Sequence, residues 1–147
     1  MTFTDDSRRD AISHVGITIA IDGPAGSGKS TISKALASRL GIGYLDTGAM
    51  YRALTWYALD REIDLDDQER VRALADEMPL FMDSDPVSPV FHIGAMDVTA
   101  AIREPRIALA IPKVSTNLSV RKWMASEQRR RMMEARANGS GMIAEGR

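Results

Sequence analysis

Eight consecutive residues carry the clearest chemistry in the chain: Gly23, Pro24, Ala25, Gly26, Ser27, Gly28, Lys29 and Ser30, followed by Thr31. Their order satisfies G-x-x-x-x-G-K-[ST]. In that pattern glycines let successive main-chain N–H groups turn inward around phosphate oxygens, where a side chain would obstruct the approach. Lys29 brings a mobile positive charge to the β- and γ-phosphates of a nucleoside triphosphate such as ATP, and the Ser30 hydroxyl brings one ligand for Mg²⁺. A glycine-rich turn that binds nothing is the competing reading. The Lys-Ser ending and the elements on either side of the turn argue against it.

A phosphate loop works only between a strand and a helix, and the flanks predict both. From Val15 the chain reads VGITIAID, with Ile17, Ile19 and Ile21 alternating against small residues, which suits a buried parallel strand. After the loop, Ile32, Ala35, Leu36 and Leu40 recur at helical spacing on one face, and Gly41 occupies the position of a left-handed C-cap. The spacing then predicts a strand over Ile42–Asp46 and a helix over Ala49–Leu59, entered through Thr47 and Gly48. Strands alternating with helices imply an α/β sheet.

Character changes over residues 60–103. A charge-rich, solvated helix is expected over Asp64–Glu77, then short strands at Leu80–Met82, Val90–Ile93 and Met96–Val98, broken by SDPVSP and Gly94-Ala95. This reads as a small inserted subdomain. Helices are predicted over Pro105–Asn117 and Ser119–Ala137, and the run MIAEGR reads as a last strand. Pro112 should kink or end its helix, because it has no N–H to donate. The domain reading is therefore a flexible tail (1–14), a first part of the phosphate-loop core (15–59), an insert (60–103), and core helices with a final strand (104–147).

Composition removes several kinds of chemistry. With 19 Lys+Arg against 20 Asp+Glu the net charge is −1, so the chain as a whole is no polycation. The absence of cysteine excludes thiol nucleophiles, disulfides and thiolate metal sites. No apolar run reaches the roughly 18 to 20 residues of a membrane helix, and the first 14 residues lack a signal-peptide core, so a cytoplasmic protein is expected. His14 and His92 have no second ligand at useful spacing and read as ordinary surface histidines.

Three classes of phosphate-loop protein remain to be separated: a nucleotide switch, a small-molecule kinase, and a non-catalytic nucleotide-binding module. A GTPase switch needs Asp-x-x-Gly and Asn-Lys-x-Asp; the first is missing, and neither Asn117 nor Asn138 is followed by lysine. The kinase reading gains from Arg52, Arg121 and Arg147, each early in a helix or just past a strand, since arginine's planar fork suits phosphate. Gln128, two turns after Arg121, could support the same site. The arginine-rich helix 119–137 suggests nucleic acid, but no aromatic platform interleaves its charges, and a solvated face is the better reading. Met124, Met132 and Met133 read as packing residues.

Taken together, IAIDGPAGSGKST, YLDTGAMYRA, DVTAAIREP, VRKWMASEQRR and the terminal IAEGR resemble the bacterial cytidylate kinases in order and spacing, over residues 17–147. The resemblance implies a P-loop NTPase-type parallel sheet flanked by helices, with the insert binding the nucleoside monophosphate. It implies ATP with Mg²⁺ as cofactors, CMP and dCMP as substrates, a monomer, and no nucleic-acid or membrane partner. By the same resemblance Asp46, Thr47, Gly48 and Arg52 belong to the CMP side, Arg121 contacts cytosine, and Arg147 approaches the CMP phosphate as a catalytic partner of Lys29.

Two departures accompany the resemblance. Pro112 occupies the place of a serine that helps read cytosine, and proline cannot donate that bond. The chain ends at Arg147, before the family's last strands and arginine-bearing lid. This predicts a fold incomplete at its C-terminus, a crippled activity, and an apolar unpaired edge at Ile17–Asp22. Another small-molecule phosphate-loop kinase, for a different mononucleotide or for shikimate, and a non-catalytic nucleotide-binding fragment are the alternatives.

Overall fold

The computed structural model describes residues 6–7 and 16–146. Expectations about the tail 1–14, His14, Val15 and Arg147 therefore fall wholly or almost wholly outside the described residues. The chain forms two compact units: one of residues up to Thr47, Ser84–Ser88 and Gln128 onward, the other of Gly48–Asp83 and Pro89–Glu127.

The first unit is a parallel sheet of β1 (Thr18–Asp22), β2 (Gly43–Asp46) and β6 (Met142–Gly146) in the order β1-β6-β2. The last strand in the chain thus lies in the middle. Thr18 is level with Met142 and Asp22 with Gly146, while Gly43 is level with Met142 and Asp46 with Glu145. Centrality explains the apolar run of β6, whose Met142, Ile143 and Ala144 are all buried. The C-terminal ends of all three strands therefore come level, which is where open parallel sheets bind ligands.

Helix α1 (Lys29–Leu40) follows the loop and ends at Gly41, whose φ of 66° supplies the expected left-handed cap. Its buried face differs from the expected one. Ser33 and Ala37 are fully buried and Leu36 and Leu40 pack beside them, whereas Ile32 is 60% exposed and Ala35 is exposed. Small residues let the helix approach Ile42, Tyr44 and Ile143 closely. Ser33 is tolerated there because its hydroxyl donates to Lys29 O at 2.6 Å.

The second unit begins one residue into α2 (Thr47–Asp60), whose Met50, Ala53, Leu54, Trp56 and Tyr57 are buried. Helix α3 (Gln68–Glu77) starts later than expected because Asp67 caps it, accepting from Arg70 N at 3.0 Å. It is solvated on one face only, since Val71, Leu74 and Ala75 are buried. An antiparallel sheet of β3 (Leu80–Met82), β4 (Phe91–Ile93) and β5 (Met96–Asp97) follows, with the short strands close to where they were read. His92, in β4, stacks on Phe81 with centroids 6.1 Å apart and is half-buried.

After a short 3₁₀ turn, α4 (Pro105–Ser115) buries Ile107 and Val114. Pro112 does not end it at once: the helix runs three residues further, and Pro112 O accepts from Thr116 N at 3.1 Å and Thr116 Oγ1 at 2.7 Å. The missing N–H leaves one carbonyl a turn earlier without its helical donor, and the helix ends within one turn of the proline. Asn117, 1% exposed, starts α5 (Leu118–Ala137): its Oδ1 accepts from Ser119 N and Val120 N, and its Nδ2 donates to Gln68 O. Met124 is fully buried, as expected of a packing residue, but Met133 is 66% exposed. Helical spacing alone did not distinguish the two faces of this arginine-rich helix.

Candidate functional site

The turn from β1 into α1 has the geometry that its residue types require. Asp22 holds the start of the loop, its Oδ1 accepting from Gly23 N at 2.7 Å. Gly26 and Gly28 take φ values of 76° and 82°, a region in which a side chain is strained. No side chain caps α1 at Gly28, so the helix N-terminus keeps its partial positive charge directed at whatever enters the loop. Pro24, Ala25, Gly26, Ser27, Gly28, Ser30 and Thr31 are exposed, whereas Gly23 and Lys29 are half-buried.

Lys29 is held on two sides. Its Nζ lies 3.5 Å from Pro24 O and 3.8 Å from Glu145 Oε1. Glu145 is 4% exposed, an unusual situation for a carboxylate, and its other oxygen explains how burial is tolerated: Tyr44 Oη donates to Oε2 at 2.8 Å. Tyr44, itself 2% exposed, also interacts through its hydroxyl with Ser30. Burial first, then the negative charges of Asp46 and Glu145, push the Tyr44 phenol far above its ordinary value, so it remains a proton donor.

The main chain of Glu145 is fixed as well, because Thr47 Oγ1 donates to its carbonyl at 2.8 Å. A Cβ on Gly146 would overlap that same Thr47 hydroxyl, so the next position in β6 must lack a side chain. The structure therefore brings together Lys29, Ser30, Asp46 and Thr47 with Tyr44 and Glu145. The last two escaped notice in the sequence. Glu145 did leave one signal, a charge inside the otherwise apolar run MIAEG.

Of the remaining proposed site residues, Gly48, Arg52 and Arg121 lie in the second unit and Gln128 in the first. Gly48 and Arg52 are in the first turns of α2, and Arg52 is half-buried. Arg121 is exposed in the first turn of α5 and faces Tyr51: burial raises the Tyr51 phenol, and the Arg121 charge opposes that rise. Tyr51 is a further neighbour that the sequence did not single out. Gln128, half-buried, lies two turns along α5 from Arg121. Arg147 is outside the described residues.

Among the described residues no group of three or more His, Asp and Glu side chains could hold a metal ion. Mg²⁺ takes one or two protein oxygens and completes its shell with water and substrate phosphates, and the exposed Ser30 hydroxyl is a hard-oxygen donor of that kind. No helix among the described residues is long and apolar enough to cross a membrane.

The sequence family described as cytidylate kinase matches residues 19–147. The chain belongs to the cytidylate kinase family. A cytidylate kinase of Streptomyces avermitilis is 38% identical over 131 residues, 89% of this chain and 55% of the relative. A bifunctional pantoate ligase/cytidylate kinase of Prochlorococcus marinus is 41% identical over 130 residues, 88% of this chain and 24% of the relative. The chain thus spans about half the length of that Streptomyces cytidylate kinase and about a quarter of that bifunctional protein. Family membership and the parallel sheet with its flanking helices agree on an α/β phosphate-loop kinase fold.

Proposed function

We propose that the protein transfers the γ-phosphoryl group of ATP to CMP, and also to dCMP. The observation that carries this reading is the loop between β1 and α1, with Lys29 poised beside a buried carboxylate, in a chain of the cytidylate kinase family. The alternatives of another mononucleotide or shikimate as acceptor find no comparable support.

In the reaction an oxygen of the CMP phosphate attacks the γ-phosphorus while the bond to the departing ADP oxygen breaks. That oxygen is already ionised near neutral pH, so no general base is needed. What the protein supplies is position and compensating charge. Main-chain N–H groups of Gly26–Ser30 and the Lys29 ammonium receive the triphosphate, and Ser30 would hold Mg²⁺. When bound, Mg²⁺ offsets phosphate charge. Asp46, Thr47, Gly48, Arg52 and Arg121 are assigned to CMP, and Arg147 to its phosphate, in line with the sequence resemblance. The first unit then carries the donor-side residues and the second Arg52 and Arg121.

Pro112 offers no N–H or hydroxyl for base reading, so pyrimidine discrimination should be weak; Pro112→Ser is expected to raise preference for CMP over UMP by roughly tenfold. A stretch equal to nearly half of the Streptomyces relative has no match in these 147 residues, and the 147-residue chain assayed by itself is expected to turn over at least about 10³-fold more slowly than that relative. A coupled assay with ATP tests both statements. In a melting experiment with ATP present, CMP should raise the transition temperature and AMP and shikimate should not; equal shifts by all three would reject the proposed acceptor.

A further inference from the structure

The two oxygens of the buried Glu145 carboxylate have different partners. Oε2 receives a short bond from Tyr44, 2.8 Å, whereas Oε1 faces Lys29 Nζ at 3.8 Å, beyond hydrogen-bonding distance. One partner is bound closely and the other at longer range. Tyr44 is fixed because its ring belongs to the core cluster of Ala37, Ile42 and Ile143. Lys29 is held less tightly, its Nζ 3.5 Å from Pro24 O and 3.8 Å from Glu145 Oε1.

We propose that Tyr44 is a positioning residue for Lys29: its hydroxyl keeps Glu145 satisfied, so that the lysine can leave the carboxylate for an arriving phosphate and return when the phosphate departs. The proposal rests on the phosphate-loop reading given above. A buried carboxylate that loses its last donor is costly, so without the Tyr44 hydroxyl Glu145 would retain Lys29 and compete with the ligand for it. Tyr44 itself touches no phosphate; it acts on the lysine through Glu145, whereas an effect through its other hydroxyl partner, Ser30, would persist when Glu145 is glutamine.

Calorimetry on the whole chain, with ATP and without divalent cation, tests this. Tyr44→Phe keeps the ring and removes the hydroxyl, and is expected to weaken ATP binding about tenfold. In a Glu145→Gln background the same replacement should change affinity by less than about twofold, because the route through the carboxylate is gone. Glu145→Gln alone should tighten ATP binding, since a neutral amide releases the lysine; that comparison needs no change at Tyr44 and stands even if Tyr44→Phe folds poorly. An equal loss from Tyr44→Phe in both backgrounds, no loss in either, or weaker binding by Glu145→Gln would overturn the proposal while leaving the phosphate loop intact. If the unaltered chain bound no ATP, the phosphate-loop reading itself would fail and this proposal with it.

Discussion

Lys29, Tyr44 and Glu145 come from three places in the chain, the last two 101 residues apart, and meet at the C-terminal ends of adjacent strands. The loop residues were legible in the sequence because their types and spacing are imposed locally by phosphate geometry. Tyr44 and Glu145 were not, because nothing local joins them; only the pairing of β2 with β6 does. Replacing Lys29 by methionine keeps the length and removes the charge, and should reduce phosphoryl transfer by about 10² to 10³, measured as kcat/KM in the coupled assay. Gly146→Ala would push a methyl into the Thr47 hydroxyl and is expected to cost about 1 to 3 kcal/mol in urea denaturation. An unchanged midpoint would show that Thr47 moves aside freely.

Helices and strands were read better than their faces. Gly41 announced the end of α1 because a left-handed cap has a strong residue preference, yet Ile32 and Ala35 were assigned to a core face that Ser33 and Ala37 occupy. A serine whose hydroxyl is satisfied within its own helix behaves as a small residue, and periodicity does not register that. Pro112 shows the reverse: a local rule against proline was overridden by its place near the end of α4. Restoring the missing donor with Pro112→Ala should stabilise the chain by about 1 to 3 kcal/mol, visible as a higher denaturation midpoint. Strand β1 pairs with β6 alone among the described residues, and its Thr18 and Ala20 are exposed. Light scattering of the 147-residue chain on heating should reveal association that Thr18→Lys with Ala20→Lys suppresses.

At the scale of the whole molecule, the residues proposed to receive a triphosphate fall in one compact unit and Arg52 and Arg121 in the other, a division that single helices or strands do not disclose. Two phenols raised by burial, those of Tyr44 and Tyr51, predict a soft alkaline limit. Burial raises the Tyr51 phenol above its ordinary 10.0, so the unfolded chain gives up that proton first; stability is retained below about pH 10 and falls above it. Tyr51→Phe should flatten that decline in a series of melts, and an unaltered slope would remove Tyr51 from the explanation.

Phosphoryl transfer by this chain requires the turn between β1 and α1 to grip a triphosphate. Titration calorimetry of the chain with ATP, with and without Mg²⁺, examines that contact directly when repeated on Lys29→Ala. Saturable heat that Mg²⁺ strengthens and the alanine variant loses is expected. Absence of heat from the unaltered chain, or the same heat from both, would contradict it.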